Sequence, residues 1–310
     1  MSDYAVILAA RMGSNRLPGK VLSKYIPNSD MTNLEQIIRR WKLSRRQPDI
    51  IVFTPTGVEN NPIAYVCQKM NIPCYFGSDN VMASMNGALW QYAPDARWVA
   101  RALADNPLVD VGLADARLDV LSETGADGLW YGGDEERLTY AATTDIWSRA
   151  AWDRIVCESV GVQLEHPGLY FWDNMSKFSI VQLPLPMREY LYPFRTELDE
   201  PRDLDMFKEI WRTRWAMNGG SEASELPEPW PCIQTMEALD ILMVRPDIAA
   251  LNARVPVKTQ TQAEWRKGMH WSCKQCGHRI GSIVAGDFEV RCPTCGKPQK
   301  FYASPPPRKA

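Results

Sequence analysis

The chain has 310 residues, 45% of them hydrophobic and 23% charged, and a formal net charge of −2. This length and apolar content suffice for one large domain with a substantial core and a smaller appendage. No apolar run is long enough to cross a bilayer, and the N-terminus lacks the basic and apolar regions of a secretory signal. We therefore expect a cytoplasmic protein without a membrane partner.

The first part of the chain alternates between strand-like and helix-like segments. Segments with helical periodicity, such as Leu34–Leu43 and Asn61–Met70, separate short apolar runs at Tyr4–Leu8, Asp49–Thr54, Pro73–Phe76 and Trp98–Leu103. This alternation predicts an α/β fold. In such folds ligands bind at the carboxyl ends of parallel strands, where the loop Arg11–Lys20 and the turn Ala104–Pro107 both fall. We expect these two segments to share one site.

The loop behind the first strand carries groups that suit a polyphosphate. It holds two glycines, a serine and three cations: Gly13, Gly19, Ser14, Arg11, Arg16 and Lys20. Backbone N–H groups, a hydroxyl and positive charge together favour an anion. The spacing matches neither the Walker A motif nor the dinucleotide G-x-G-x-x-G pattern, and a solvated turn with surface cations is the alternative.

The segment Ala9–Leu22 resembles the N-terminal signature of the cytidylyltransferases that activate sugars. That group includes CMP-KDO synthetases, CMP-sialate synthetases and the spore-coat polysaccharide cytidylyltransferases, to which the resemblance is closest. The resemblance continues in order through residues 4–215, at Glu59–Ile63, Ile72–Val81, Arg101–Asp110, Glu165–His166 and Leu198–Leu204.

The resemblance implies a Rossmann-like, glycosyltransferase-A-like nucleotidyltransferase domain. It also implies a reaction in which a sugar or sugar-acid hydroxyl attacks the α-phosphate of CTP, or of another nucleoside triphosphate, and pyrophosphate leaves. This chemistry needs alignment of the reactants and neutralisation of charge on phosphate oxygens, which cations and Mg²⁺ supply.

The same resemblance implies roles for individual residues. Arg11 and Lys20 would contact the triphosphate, with Lys20 stabilising the departing pyrophosphate and Arg16 assisting. Asp105 and Asp199 match the Mg²⁺ carboxylates of the family, a ligand type that Mg²⁺ prefers, although each could be an ordinary turn aspartate. The full set implied for nucleotide binding is Leu8, Ala9, Ala10, Arg11, Gly13, Ser14, Arg16, Lys20, Gly77, Ser78 and Arg101.

Two further positions are open to two interpretations. Arg101 matches a family position that faces the base or the phosphates, but an interior arginine paired with a carboxylate is an equal alternative. His166 falls at a landmark on the sugar side of the family site, whereas a lone histidine is more often structural.

The sequence departs from the family pattern in segments expected to determine selectivity for the base or the sugar. The stretch Gly77–Met82 is shorter than its family equivalent, and Ser84-Met85 replace a frequent Arg-Tyr. The region Gly125–Ser148 matches only loosely, and the sugar would be read there. We therefore take cytosine from the resemblance alone, and the sugar is not identified.

The composition changes after about residue 215. A Gly/Ser-rich and then Pro-rich passage, Asn218–Pro231, is typical of a linker. We predict a nucleotidyltransferase domain over residues 1–215 and a linker with short helices, Thr235–Met243 and Pro246–Ala253, over 216–268. A small metal-binding domain over 269–302 and a disordered tail over 303–310 follow.

The metal-binding prediction rests on two Cys-x-x-Cys pairs. Cys273 and Cys276 form the first pair, and Cys292 and Cys295 form the second. Four thiolates complete a tetrahedral shell, so these residues predict a zinc ribbon with structural Zn²⁺. A module of this size lacks an adequate core, and bound zinc would supply its folding energy. A redox role for the cysteines is the competing interpretation.

Charge divides the chain unequally. Residues 266–310 carry nine Lys or Arg against two carboxylates, a net charge of +7, and the remainder carries −9. The basic ribbon suits a nucleic acid or another polyanion, or docking on a partner or a second copy of the chain. We predict an Mg²⁺-dependent nucleotidyltransferase. The alternative is a nucleotide-binding protein without turnover, whose ribbon recognises nucleic acid or protein.

Overall fold

The computed structural model describes most of the chain. The described residues are 2–131, 144–183, 194–219 and 232–255, together with four short strands at 270–272, 279–282, 288–291 and 298–301. Of the helices among them, none has the length and apolar character needed to span a bilayer.

A mostly parallel sheet forms the centre of the described structure. Strand β1 (Tyr4–Ala9) lies in the middle and pairs in parallel with β2 (Asp49–Pro55) on one side and β4 (Trp98–Leu103) on the other. Strand β3 (Cys74–Gly77) extends the sheet in parallel beyond β2, and β6 (Asp145–Ser148) closes the other edge antiparallel to β4. All four predicted strands are confirmed.

Helices cover both faces of this sheet. Successive side chains of β1 point to opposite faces, so Val6 packs in one hydrophobic cluster with α1, α2 and α4 while Ile7 packs in another with α3, α5 and α6. The helices up to this point are α1 (Asn33–Lys42), α2 (Asn61–Lys69), α3 (Val81–Tyr92), α4 (Val111–Thr124), α5 (Arg149–Glu158) and α6 (Pro167–Asp173).

A small second sheet lies beside α6. Strand β5 (Gly128–Tyr131) pairs in parallel with β7 (Ile180–Leu183). At Gly128 a Cβ atom would lie 2.5 Å from the ring of Phe171 in α6, so the close approach of strand and helix requires glycine there.

The helices that follow the central sheet share a third hydrophobic cluster. Helix α7 (Pro201–Met217) packs with α8 (Thr235–Val244) and α9 (Pro246–Ala249), and α9 is shorter than predicted. The side chains of Ile233, Leu239, Leu242 and Ile248 are each at most 1% exposed. Burial of four such side chains contributes about 6 to 12 kcal/mol, comparable with the whole stability of a domain.

The last described elements are two antiparallel strand pairs. Strand β8 (His270–Ser272) pairs with β9 (Arg279–Ser282), and β10 (Phe288–Arg291) pairs with β11 (Pro298–Phe301). In sequence, one Cys-x-x-Cys pair falls between the two strands of each hairpin, and the four cysteines themselves lie outside the described residues.

The strand order creates a topological switch point at β1. The chain passes from β1 to β2 on one side of the sheet and returns to β4 on the other, so the loops after β1 and β4 diverge from neighbouring strand ends. Such a divergence leaves a crevice at the carboxyl edge of a parallel sheet, where ligands bind in folds of this kind.

Candidate active site

The loop after β1 is held in shape by its own backbone. The amide of Gly19 donates to the carbonyl of Met12 at 3.1 Å, and Met12 N donates to the Asn60 side chain at 3.0 Å. Gly19 adopts φ 70°, a left-handed conformation that favours glycine. Lys20 follows at the start of a single helical turn. The loop thereby directs the Lys20 side chain into the protein instead of toward solvent.

Lys20 bridges two aspartates that are far away in the sequence. Its ammonium nitrogen lies 2.7 Å from Oδ2 of Asp105 and 2.5 Å from Oδ1 of Asp199. Lys20 is 8% exposed and Asp199 is 2% exposed. The structure thus brings together the three residues on which the predicted chemistry depended most.

Arg16 approaches the same carboxylates from the rim of the loop. Its guanidinium donates to Oδ2 of Asp199, and Nη1 lies 3.1 Å from Oε1 of Glu200. The side chain is 30% exposed, so it remains accessible from the crevice. Asp199 is therefore bonded by two cations from one loop.

A third carboxylate, Glu197, joins Asp105 and Asp199. One oxygen from each of the three side chains lies within 4.8 Å of the others. The amide of Leu198 donates to the carbonyl of Asp105 at 2.8 Å and holds the two segments side by side. Arg195 lies 3.0 Å from a carboxylate oxygen of Glu197 and 3.9 Å from one of Asp199, so both of these side chains lie on the side of the segment that Arg195 faces.

A buried network supports the segment that carries these carboxylates. Oδ2 of Asp203 accepts hydrogen bonds from the amides of Asp199 at 2.9 Å and Glu200 at 2.8 Å. Arg195 pairs through Nε with Oδ1 of Asp203 at 3.1 Å and through Nη2 with Oε2 of Glu197 at 3.0 Å. The backbone at Asp199 is therefore fixed by groups behind the crevice.

The concentration of carboxylates shifts the pKa values of its members. Burial alone would lower the pKa of Lys20, but Asp105 and Asp199 outweigh burial and the pKa is raised, so the ammonium stays charged. Burial, reinforced by the negative charges of Asp105 and Asp199, raises the pKa of Glu197 to about 7. The positive charges of Arg195 and Lys20 lower the pKa of Glu197, but they do not offset burial and the two aspartates.

The donor set fits a hard divalent cation. Three carboxylates converge, and Oδ1 of Asp105 is buried without a hydrogen-bond partner among the described residues. Mg²⁺ and similar ions bind a few carboxylates together with phosphate oxygens and waters. In the structure as described, Lys20 supplies the positive charge at this position.

The other predicted residues of the first loop have simpler surroundings. Leu8 and Ala10 are buried, Ala9 is half-buried, and Arg11 and Gly13 are exposed. The Ser14 hydroxyl accepts a hydrogen bond from the amide of Leu17 at 3.3 Å. In this structure Ser14 therefore stabilises the loop, while Arg11 extends from its surface.

Gly77 and Ser78 lie at the end of β3, two strands away from β1. The Ser84 hydroxyl donates to the carbonyl of Ser78 at 2.9 Å, and a Cβ atom on Gly77 would lie 2.2 Å from the Ser84 oxygen. Close packing against Ser84 of α3 accounts for the glycine. The geometry does not require a ligand to explain either residue.

Arg101 and His166 lie on the β6 side of the sheet. Nη1 of Arg101 is 3.9 Å from Oδ2 of Asp145, and its side chain is 17% exposed. Burial raises the pKa of Asp145, and Arg101 opposes the shift. His166 is half-buried and precedes α6, where a Cβ atom on Gly168 would lie 3.0 Å from the Asp145 carboxylate. Arg101 therefore has the carboxylate partner that the second of its two interpretations, an interior ion pair, predicts.

Sequence reasoning missed Glu197 and Arg195. The sequence does contain a pattern that indicates them, because charged and uncharged residues alternate in Phe194–Asp199, with the charges at Arg195, Glu197 and Asp199. In an extended segment this spacing puts three charged side chains on one side. Their burial, which makes the cluster unusual, is not visible from the local sequence.

The chain is similar to known proteins in both sequence and fold. The sequence pattern of the cytidylyltransferase family matches residues 5–207. An uncharacterized protein of Methanocaldococcus jannaschii is 27% identical over 266 residues, which cover 83% of this chain and 98% of the relative. The spore coat polysaccharide biosynthesis protein SpsF of Bacillus subtilis is 24% identical over 259 residues, covering 80% and 98%. Both matches extend over more of the chain than the family pattern does.

Two solved structures share the fold. A cytidylyltransferase from Leptospira borgpetersenii superposes with a TM-score of 0.67 at 18% identity, over 84% of this chain and 100% of the other. A CMP:2-keto-3-deoxy-manno-octonic acid synthetase complexed with CTP superposes with a TM-score of 0.51 at 11% identity, over 69% and 100%. The central domain therefore has a mixed α/β, Rossmann-like nucleotidyltransferase fold.

Proposed function

The chain belongs to the cytidylyltransferase family, a family of nucleotidyltransferases, and on that premise we propose that it transfers a cytidylyl group from CTP to a sugar or sugar acid. The hydroxyl oxygen of the acceptor forms a bond to the α-phosphorus, and the hydroxyl proton is released to water. The bond between the α-phosphorus and the bridging oxygen breaks, and pyrophosphate leaves with the electron pair.

The observation that carries this proposal is the contact of Lys20 with Asp105 and Asp199 at the switch point of the sheet. It puts a buried cation and a carboxylate cluster at one point, as transfer of a nucleotidyl group requires. Charge grows on the α-phosphate and on the departing pyrophosphate, and fixed cations stabilise it without reorganisation.

Each group of the cluster has a distinct part in this scheme. Lys20 and Arg16 exchange their carboxylate partners for oxygens of the triphosphate, with Arg11 contacting the outer phosphates from the loop surface. Asp105, Asp199 and Glu197 would hold Mg²⁺, which when bound neutralises phosphate charge and orients the α-phosphate. Asp203 and Arg195 keep the carboxylate segment in register with the loop.

The choice of CTP and of a sugar acceptor rests on the relatives. A protein with the same fold has been solved with CTP bound, and a relative over most of the chain acts in spore-coat polysaccharide biosynthesis. We assign cytosine and the sugar class to this chain on that support, and we expect the sugar to be bound on the β6 side of the sheet.

A pyrophosphate-release assay tests the proposal. The full chain is incubated with Mg²⁺ and each of CTP, UTP, ATP and GTP, with and without a panel of sugars and sugar acids. Release that needs both CTP and one acceptor supports the proposal. CTP binding without release for any acceptor favours the alternative of a nucleotide-binding protein without turnover, and release with another nucleotide rejects CTP.

We further propose that Cys273, Cys276, Cys292 and Cys295 bind one structural Zn²⁺ in a small ribbon. Each pair falls, in sequence, between the strands of an antiparallel hairpin, the position that thiolate pairs take in zinc ribbons. The net charge of +7 in residues 266–310 suits a polyanionic partner or the acidic remainder of a second copy.

A further inference from the structure

We infer that residues 232–255, which lie beyond the family pattern, complete the nucleotidyltransferase domain, and that Asn252 is a positioning residue for the carboxylate cluster. That the cluster binds a metal rests on the proposed function, whereas the contacts of Asn252 are independent of it. The sequence predicted a linker here, and the contacts of this segment with α7 and with the loop after β4 support a different boundary for the domain.

Apolar packing ties the segment to the rest of the domain. Ile233 and the inner faces of α8 and α9 lie in one buried cluster with Phe207, Ile210 and Trp211 of α7. Leu108, which follows the Asp105 turn, is in the same cluster. A linker exposes its side chains to solvent, whereas this segment buries the inner face of each helix.

Polar contacts fix the beginning of the segment as well. The Thr235 hydroxyl donates to the carbonyl of Leu108 at 3.1 Å, and Arg40 of α1 donates to the carbonyl of Ile233. Arg214 of α7 pairs with Glu237 at 2.8 Å. The segment therefore contacts the loop after β4 and two helices of the catalytic domain.

Asn252 connects the end of the segment to the site. It is 3% exposed, and its Nδ2 donates to the carbonyl of Arg195 at 3.1 Å and to Oδ1 of Asp203 at 2.9 Å. The other oxygen of Asp203 accepts the amides of Asp199 and Glu200. Two hydrogen bonds in sequence thus lead from Asn252 to the backbone of Asp199.

Asn252 helps to orient the carboxylate of Asp203 by a hydrogen bond, which apolar packing cannot supply. Asp203 is fully buried, and Arg195 bonds both of its oxygens, through Nε to Oδ1 at 3.1 Å and through Nη2 to Oδ2 at 3.3 Å. Asn252 adds a second donor to Oδ1, and the two amides add donors to Oδ2. If the Asn252 donors are lost, Oδ1 of Asp203 keeps Arg195 but loses its second donor, and the carboxylate is held less firmly against the Asp199 and Glu200 amides. Groups that orient metal ligands in this way typically change metal affinity 10- to 100-fold when they are replaced.

Hydrogen exchange on the full chain tests the domain boundary without reference to activity. We expect the amides of α8 to exchange as slowly as those of α7, because both are protected by the same buried cluster. If α8 instead exchanges at the rate of an exposed linker, the segment is not part of the domain and the inference is wrong.

Substitution of Asn252 tests the positioning role. Asn252→Asp keeps the shape and removes both donors, and Asn252→Ala removes them without adding charge. Ile248→Ala, which opens the apolar cluster in the same segment, is the matched control. In both Asn252 variants we expect the amides of Leu198, Asp199 and Glu200 to exchange about tenfold faster, and the Kd for Mn²⁺ to rise 10- to 100-fold.

The Ile248→Ala control distinguishes a loss of order at the carboxylate cluster from a general loss of folding stability. Ile248→Ala should lower Tm by at least as much as the Asn252 variants, yet leave Mn²⁺ affinity and exchange at Leu198–Glu200 within about twofold of the unmodified chain. Equal effects of the Ile248 and Asn252 variants on both quantities overturn the positioning role. If the unmodified chain binds no Mn²⁺, the metal site of the proposed function fails, and exchange at Leu198–Glu200 still decides whether Asn252 orders that stretch.

Discussion

The ammonium nitrogen of Lys20 lies 2.5 Å from Oδ1 of Asp199, although 179 residues separate them in the chain. Lys20 also contacts Asp105, so one side chain occupies the point where the two carboxylates that we propose to bind the metal face each other. A divalent cation that binds these oxygens must displace the ammonium. A triphosphate would favour that displacement, because it offers Lys20 new anionic partners.

Removal of the Lys20 charge should therefore strengthen metal binding and abolish turnover. For Lys20→Met without nucleotide, we expect the Kd for Mn²⁺, measured by electron paramagnetic resonance, to fall about tenfold, since the competing cation is gone. Pyrophosphate release should fall at least about 100-fold, because the leaving group loses its cation. Lys24→Met, which removes an exposed lysine paired with Asp30, should change neither quantity. Weaker Mn²⁺ binding in Lys20→Met would contradict the competition.

Neutralisation of Asp105 tests the carboxylate cluster directly. With Asp105→Asn we expect the rate of pyrophosphate release at saturating CTP to fall about 100- to 1,000-fold, because an amide oxygen holds a divalent cation less well than a carboxylate. Asp119→Asn is the matched control, since Asp119 pairs with Arg45 and Arg46 on the surface. A fully active Asp105→Asn protein would remove this residue from the site.

The raised pKa of Glu197 predicts a pH-dependent cost to stability in the metal-free protein. The pKa is about 7 in the folded state against an ordinary value of 4.5, so between these values the folded protein binds more protons than the unfolded chain. Stability therefore falls as pH rises through this window. Glu197→Gln removes the charge, so its unfolding free energy should equal that of the unmodified chain near pH 4.5 and exceed it by about 2 to 3 kcal/mol at pH 8.

Urea unfolding at several pH values, without added metal, measures this difference. Glu200→Gln is the control, because Glu200 is a more exposed neighbour that pairs with Arg16. A difference between Glu197→Gln and the unmodified chain that does not change between pH 4.5 and 8 would show that folding leaves the pKa of Glu197 at its ordinary value.

Metal analysis tests the zinc ribbon. We expect one zinc per chain, and we expect Cys292→Ser to lose it, because three thiolates leave the tetrahedral shell incomplete. Cys157→Ser is the control, since Cys157 is a free, exposed cysteine of α5. A folded C-terminus without zinc, assessed by protection of the β10 and β11 amides from exchange, would reject the ribbon.

Local sequence patterns are enough to predict the α/β class, the four parallel strands and the residues at their carboxyl ends. Alternation of apolar strand segments with amphipathic helices is a local property, and the loop Arg11–Lys20 follows its strand directly. Resemblance to a family then selected Asp105 and Asp199 from many turn aspartates. These features are readable because each depends on residues close together in the chain.

Which charged groups share the site depends on the folding of distant segments against one another. Glu197 and Arg195 look like ordinary polar residues of an extended segment, and Asn252 lies in a stretch whose composition suggested a linker. Their importance comes from burial and from contacts between distant parts of the chain, such as the hydrogen bond from Asn252 to Asp203. A carboxylate acquires a shifted pKa, or a fixed direction, only from the charges and donors that the fold packs against it.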